Sequence, residues 1–329
     1  MIEKRLIKEG NGIVYHYTSL DTLLKILDGI KDGQLIFHGS DIFSMNDPSE
    51  FILGFKQLWS LLPQIENEFY KNIKGTPQSY DISEPFLDNK FRLSNMWNRW
   101  DGNKKSWLKA YVESMHRLYE SPFVVSFSCH EDFLPMWSTY GDQGHGVAIG
   151  IDIQAYYEKK ILKDGTTMLD FTSYDNKELH SILVTYDKLS INHPLAILTK
   201  LYIGNYLRSI REIDVDDEKL FQLQMRTLDS ITKLASAMIK NDAYRYEEES
   251  RLISYRKDMN DVRFKVSSKK NIIPFIHIGI PVSKLKKIVI GPCCDYLSVM
   301  NAIKVRLEQK GISLKDDDFL KSTVPYRLV

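Results

Sequence analysis

Strand-like segments stand at both ends of this chain, and the longest helical stretches lie between them, so strands that must share a sheet are far apart in sequence. Residues 13–17, 35–38, 123–128 and 146–152 are short and β-branched, aromatic or apolar. Residues 181–186, 249–255, 262–266, 272–280 and 287–290 continue the set. A doubly wound parallel sheet needs a helix after nearly every strand, and that alternation is missing. The order predicts an α+β fold around a mixed β-sheet.

The helices announce themselves by spacing and caps. Leu20, Leu23, Leu24 and Leu27 recur at helical intervals after Ser19, which can cap them, and Gly29 stands where a helix stops. Asp47, Pro48 and Glu50 form the start signal of a second helix, whose buried face carries Phe51, Phe55, Leu58, Trp59 and Leu62. Residues of about 63–120 read as a helical insertion, and about 194–240 as a second one made of two helices. In the later of these two helices Leu220, Leu223, Leu228, Ile231, Leu234 and Met238 form a broad apolar stripe. A last helix is expected from about 295 to 310. With no repeat, low-complexity tract or linker, residues 1–329 are expected to form a single elaborated domain.

Composition narrows the functional classes. A formal net charge of +1 gives no global attraction to nucleic acid or to an anionic membrane. No apolar run reaches membrane-spanning length and the first residues lack the apolar core of a secretory signal, so a cytoplasmic protein without membrane contact is expected. Three cysteines are too few for a disulfide framework. No glycine pattern follows a strand and opens a helix as a phosphate cradle must. The eight histidines are scattered singly, so no metal site is expected. Trp97, Trp100 and Trp107 stand near Arg99, Lys104 and Lys105, a pairing that can stack bases, although helical packing accounts for them equally well.

One strand is unusual. In Tyr244-Arg245-Tyr246-Glu247-Glu248-Glu249-Ser250-Arg251-Leu252 three carboxylates run directly into an apolar segment. Strand alternation puts Glu247, Glu249 and Arg251 on one face and Glu248 on the other. Charges at this place are expected either at a solvated sheet edge, where they block stray pairing, or in a cleft, where paired acids beside an arginine do chemistry.

The set Tyr15-His16-Tyr17-Thr18, Asn46-Asp47-Pro48-x-Glu50, Ser126-Phe127-Ser128, Met136-Trp137-Ser138-x-Tyr140 and Tyr244-x-x-Glu247-x-Glu249-x-Arg251-Leu252 resembles a large bacterial domain-of-unknown-function family, of the DUF 2971 type. That resemblance extends over most of the chain, to residues 287–292 and the closing helix, and supplies no activity. A more distant resemblance is to ADP-ribosyltransferases of the His-Tyr-Glu type, including toxins that modify DNA. There a histidine ends the first strand, a serine strand and a short tyrosine-bearing helix follow, and a late strand carries the catalytic glutamate. His16, Ser126, Tyr140 and Glu249 stand in that order.

This second resemblance implies NAD as substrate, no metal, and a macromolecular acceptor, protein or nucleic acid, in a toxin or phage-defence setting; a partner protein is possible. Cleavage of the bond between nicotinamide and ribose develops positive charge on the sugar, which a fixed carboxylate stabilises. By the resemblance Glu249 is that carboxylate; Glu247, on the same face, is expected either to orient the acceptor or to raise the pKa of its neighbour, and Arg251 is open to neutralising the pair as plain structure. His16, Tyr17, Thr18, Ser126, Tyr140 and Arg251 are the expected NAD-binding residues. The aromatic role is open to Tyr17 and Phe127 as well as Tyr140, and the acidic role to Glu247 and Glu248. A glycohydrolase, with water as acceptor, and a non-catalytic binding module are the alternative expectations.

Overall fold

The computed structural model describes residues 12–45, 50–73, 89–96, 122–152, 157–161, 167–171, 179–212, 216–254, 258–266 and 271–326. The expectations for Asn46 to Ser49, Trp97, Arg99, Trp100, Lys104, Lys105 and Trp107 lie outside the described residues.

Strands β1 (Ile13–Thr18), β2 (Gln34–Asp41), β3 (Phe123–Ser128) and β4 (Val147–Asp152) come first, with helix α1 (Leu20–Asp28) between β1 and β2. The Ser19 side chain accepts from the Thr22 N–H and so caps α1, as its sequence predicts. Helix α2 (Glu50–Ile73) and the short α3 (Leu134–Thr139) flank β3 in sequence. Strands β5 (Tyr157–Ile161) and β6 (Thr167–Phe171) form a separate two-stranded sheet. After β7 (Leu179–Leu183) come α4 (Pro194–Glu212) and α5 (Asp217–Met238), then β8 (Glu249–Ser254), β9 (Arg263–Val266), β10 (Ile272–Pro281), β11 (Leu285–Ile290), α6 (Tyr296–Gln309) and β12 (Phe319–Lys321).

Ten strands join one mixed sheet in the order β12-β11-β4-β1-β3-β2-β10-β9, with β8 pairing β3 and β7. Among the described strands only β11 and β12 pair in parallel. The α+β class and the mixed sheet are therefore as expected. Alternation along β3 sets up two cores. Phe123, Val125 and Phe127 pack with α1 and α6 on one face, while Val124 packs with Ile182, Ile253 and the helices α2, α4 and α5 on the other. The sheet is thus covered on both sides. Among the described residues no helix is long and apolar enough to cross a membrane.

The detail that positions the site is a split. β8 occupies one edge of β3 along its whole length, from Phe123 opposite Ser254 to Ser128 opposite Glu249. On the other edge β1 meets β3 only at Ser128 and β2 meets it only at Phe123 and Val124. No described strand covers residues 125–127 on that side. β1 and β2 diverge there and leave a gap in the sheet.

Two expectations need correction. The boundary near residue 63 is not the end of an element: α2 continues through Pro63 to Ile73. Proline removes one helical hydrogen bond, but buried Leu58, Leu61, Leu62 and Ile65 hold both halves against the same core. The strand bearing the glutamates is not an edge, since β3 and β7 pair with β8 on both sides.

Helix α2 also packs unusually close to α5. A Cβ on Gly54 would lie 2.7 Å from the Ala235 carbonyl oxygen and 2.8 Å from its carbon. Gly54→Ala is therefore expected to push the helices apart and cost about 1–3 kcal/mol, read as a lower urea midpoint with an unchanged slope.

Candidate functional site

The acidic segment folds in two parts. A 3₁₀ turn over Asp242–Glu247, capped by the Asn241 side chain, ends in Glu248, whose φ of 40° is left-handed. The strand begins only at Glu249. This turn, rather than continuous strand alternation, is what sets Glu247 near Glu249. Glu248 holds a conformation that side chains with a Cβ adopt at a cost of about 1–2 kcal/mol, and its carboxylate lies 3.8 Å from the His130 ring in a partly exposed position. Glu248→Gly is expected to be neutral or to stabilise by up to about 1 kcal/mol, checked by urea denaturation.

Glu247 and Glu249 are each 3% exposed and Arg251 is fully buried. Of the two settings expected for these charges, the solvated edge is the one the structure excludes. The Lys240 ammonium, delivered by the end of α5, donates to Glu247 Oε2 at 2.6 Å and to Glu249 Oε2 at 2.9 Å. The Arg251 guanidinium grips Glu249 in a fork, Nε to Oε1 at 2.8 Å and Nη2 to Oε2 at 2.9 Å, and its Nη1 donates to the Ala237 carbonyl at 3.0 Å. Tyr140 donates its hydroxyl to Glu247 Oε1 at 2.9 Å. Two acids and two bases thus share one buried network.

Burial alone would raise the Glu249 carboxyl; the charges of Arg251 and Lys240 outweigh it, and it is lowered from 4.5 to about 2. A depressed carboxyl stabilises the fold fully above its unfolded value and loses that contribution as pH falls through its folded one. The stability gap between wild type and Glu249→Gln is accordingly expected to close between pH 4.5 and about 2, followed by thermal denaturation across that range.

These groups open on a cavity of about 240 Å³ at the gap between β1 and β2. His16, Tyr17, Ser126, Tyr140, Glu247 and Glu249, six of the residues singled out in the sequence, line it together. His16 bridges the gap: its Nδ1 lies 2.9 Å from the Ser126 carbonyl, which no strand partner reaches on that edge. Its ring contacts Phe37 and Phe127. Burial holds the imidazole below its usual range, so the ring is neutral, with the Nδ1 proton donated to Ser126 and Nε2 left as an acceptor. The Ser126 hydroxyl is buried without a well-formed hydrogen bond and sits beside Glu249, whose charged form it favours. The Tyr17 hydroxyl donates to the His130 carbonyl at 3.0 Å and accepts from the Phe133 N–H at 3.2 Å, which fixes the start of α3.

Two expected residues stand apart from the cavity wall. Arg251 lies behind Glu249, wholly occupied with it and with α5, and does not line the space. Thr18 lies at the end of β1, where Gly146 approaches so closely that a Cβ there would sit 2.1 Å from the Thr18 carbonyl oxygen; Thr18 lines a second cavity instead. Phe127 lines the first cavity too, so the choice among aromatic rings stays open.

Sequence reasoning missed Lys240 and Tyr186, and gave Ser128 no role beyond its place in the Ser126-Phe127-Ser128 motif. Ser128 donates its hydroxyl to the Glu247 carbonyl at 2.7 Å, and Tyr186 accepts the Glu249 N–H at 3.0 Å. The signal for Lys240 was its place directly after the apolar Ala237-Met238-Ile239, where a lysine is buried at a helix end and needs an acid. Among the described residues no group of three or more His, Cys, Asp or Glu could hold a metal ion.

Residues 136–252 match a family model described as a protein of unknown function (DUF2971). The match takes in Tyr140, Lys240, Glu247, Glu249 and Arg251 and leaves β1 outside, so it is narrower than the resemblance read along the chain. No curated protein matches the chain and no solved structure does. The likeness to ADP-ribosyltransferases therefore rests on the ordered residues alone.

Proposed function

We propose that the cavity at the split binds the nicotinamide-ribose end of NAD and that the protein transfers ADP-ribose from it to a macromolecular acceptor. The observation that carries this reading is the convergence of His16, Tyr140, Glu247 and Glu249, up to 233 positions apart in sequence, on one recess.

In the reaction the glycosidic bond breaks, nicotinamide leaves with the bonding pair, and positive charge spreads over the ribose. Glu249 offers a carboxylate that is ionised and held by Arg251 and Lys240, so it need not reorganise as that charge forms. A carboxylate has about four acceptor sites, and the Arg251 fork and Lys240 fill three of those on Glu249. The remaining one lies beside the Ser126 hydroxyl, and a ribose hydroxyl reaches it by displacing that serine. Glu247 keeps more spare capacity, with one bond from Tyr140 and one from Lys240, which suits it to accept the proton of the incoming nucleophile. The neutral His16 can hydrogen-bond the substrate through Nε2.

The near-saturation of Glu249 also supports a second reading, a module that binds nucleotide without cleaving it. One assay separates the two. The protein is incubated with cell extract and NAD labelled in its ADP-ribose part, and released nicotinamide is measured alongside labelled macromolecules. Nicotinamide with labelled acceptor is the expected result. Nicotinamide with free ADP-ribose only makes the protein a glycohydrolase, and intact NAD overturns the enzymatic reading.

A further inference from the structure

A second, larger cavity of about 560 Å³ adjoins the first across His16, Tyr17, Ser40, Met45 and Ser126. Its chemistry is opposite. The first cavity presents Glu247 and Glu249 with Lys240 between them, two acids to one cation; the second presents Lys25, His38 and Lys265.

These three are not equivalent. Lys25 is exposed and already paired with Asp21 at 2.5 Å. Burial and the nearby Lys265 charge lower His38 to about 4, so it stands as a neutral ring. That ring lies 4.2 Å from Phe275 and is stacked 5.4 Å from His277, which makes a flat unsaturated surface beside the cavity. Lys265 is different again. It is largely buried, and burial lowers its ammonium from the ordinary range. Its contacts are the Ser40 hydroxyl at 3.1 Å and the face of Phe275 at 5.5 Å. Among the described residues no carboxylate pairs with it. Arg263 projects from the same face of β9 two residues earlier and adds positive potential. A cation that is partly desolvated and lacks a counter-ion gains more from an incoming anion than a solvated surface lysine does.

We infer that the second cavity takes a phosphate ester, specifically the diphosphate of a nucleotide, with Lys265 as its counter-ion and the His38 ring as the surface on which its base stacks. The arrangement places an anion site next to a site for a developing cation, which is the charge order of a dinucleotide cleaved at its ribose. The inference rests on the NAD reading only for which nucleotide is held; Lys265, Ser40 and His38 would bind a nucleoside diphosphate in either case.

The test is calorimetric titration of the full chain with ADP, inorganic pyrophosphate, adenosine and a single-stranded oligonucleotide, using wild type, Lys265→Met and Lys265→Arg. A charge-assisted hydrogen bond is worth at least about tenfold in affinity. ADP and pyrophosphate are expected to bind, adenosine about tenfold or more weakly than ADP, and Lys265→Met is expected to lose about that factor while Lys265→Arg retains most of it. Equal thermal midpoints for the variants establish that the loss is local. Unchanged ADP affinity in Lys265→Met overturns the proposal, as does binding of the oligonucleotide without ADP. The outcomes also separate the two readings. Lys265-dependent ADP binding with NAD left intact removes the enzyme and keeps this site, whereas NAD cleavage with KM unaffected by Lys265→Met keeps the enzyme and removes this site.

Discussion

Arg251→Met is expected to lower the free energy of unfolding by about 3–5 kcal/mol, a large share of the 5–15 kcal/mol that stabilises an ordinary domain. The guanidinium is fully buried and donates to both Glu249 oxygens and to the Ala237 carbonyl. Removing it leaves Glu249 buried with Lys240 as its cation and the Ser126 hydroxyl beside it, and Lys240 must also serve Glu247. The cost is therefore chiefly that of a stranded carboxylate rather than of the lost attraction. Glu249→Gln combined with Arg251→Met should recover part of the loss, because the stranded charge is gone. Urea denaturation of the single and double variants decides the point. A single variant as stable as wild type would show that water or a rearranged Lys240 satisfies Glu249, and that Arg251 is no keystone.

The same network links the two halves of the fold. Ala237 lies at the end of α5, and Ile239 bridges to Thr185 just beyond β7, with the Thr185 N–H donating to the Met238 carbonyl at 2.7 Å and the Lys240 N–H to Thr185 at 3.0 Å. The segment from α4 to α5, read from sequence as an insertion, thus delivers Lys240 into the site and covers Arg251. Its apolar stripe was legible as core. What it carried at its end was not, because periodicity reports which face is buried and says nothing of where the chain goes when the helix stops.

Much of the sheet was legible for the opposite reason. β3 and β4 are short, mostly apolar runs that point to burial on both faces, and β8, charged at its start, is marked as a strand by Leu252 and Ile253 at its end. β5, with Glu158, Lys159 and Lys160 at its centre, offered no such run and went unseen. β12 is three residues long and is held by parallel pairing to β11, a contact that no local pattern encodes. The split between β1 and β2 was invisible for a related reason. Strand composition does not reveal register, and the site exists because β3 pairs with β1 at one end and with β2 at the other. His16, Tyr140, Glu247 and Glu249 were named from order along the chain. That they share one recess follows from this register. The sequence left Glu247 to Arg251 open between a solvated edge and a cleft, because a strand rich in charge can be interior when its charges neutralise one another.

Glu249→Gln is expected to reduce nicotinamide release from NAD by about 10²–10³-fold, the usual loss when one preorganised electrostatic contact to a transition state is removed. The amide keeps the shape and one acceptor oxygen but not the charge, so kcat should fall while KM stays near that of wild type. Because the variant also deprives Arg251 of its partner, Glu249→Asp is the necessary companion. It retains the charge while drawing it back by one carbon, so an intermediate rate assigns the loss to charge placement, whereas equal thermal damage in both variants assigns it to folding. Glu247→Gln should behave differently. If Glu247 accepts the nucleophile's proton, its loss suppresses labelling of the acceptor more than release of nicotinamide, and the enzyme drifts toward hydrolysis. Glu248→Gln, partly exposed and outside the network of Lys240, should leave both readouts unchanged. Should Glu247→Gln abolish nicotinamide release while Glu249→Gln preserves it, the two roles exchange: Glu249, held by three charged hydrogen bonds, becomes the support, and Glu247, with its unfilled acceptor sites, becomes the group that meets the sugar.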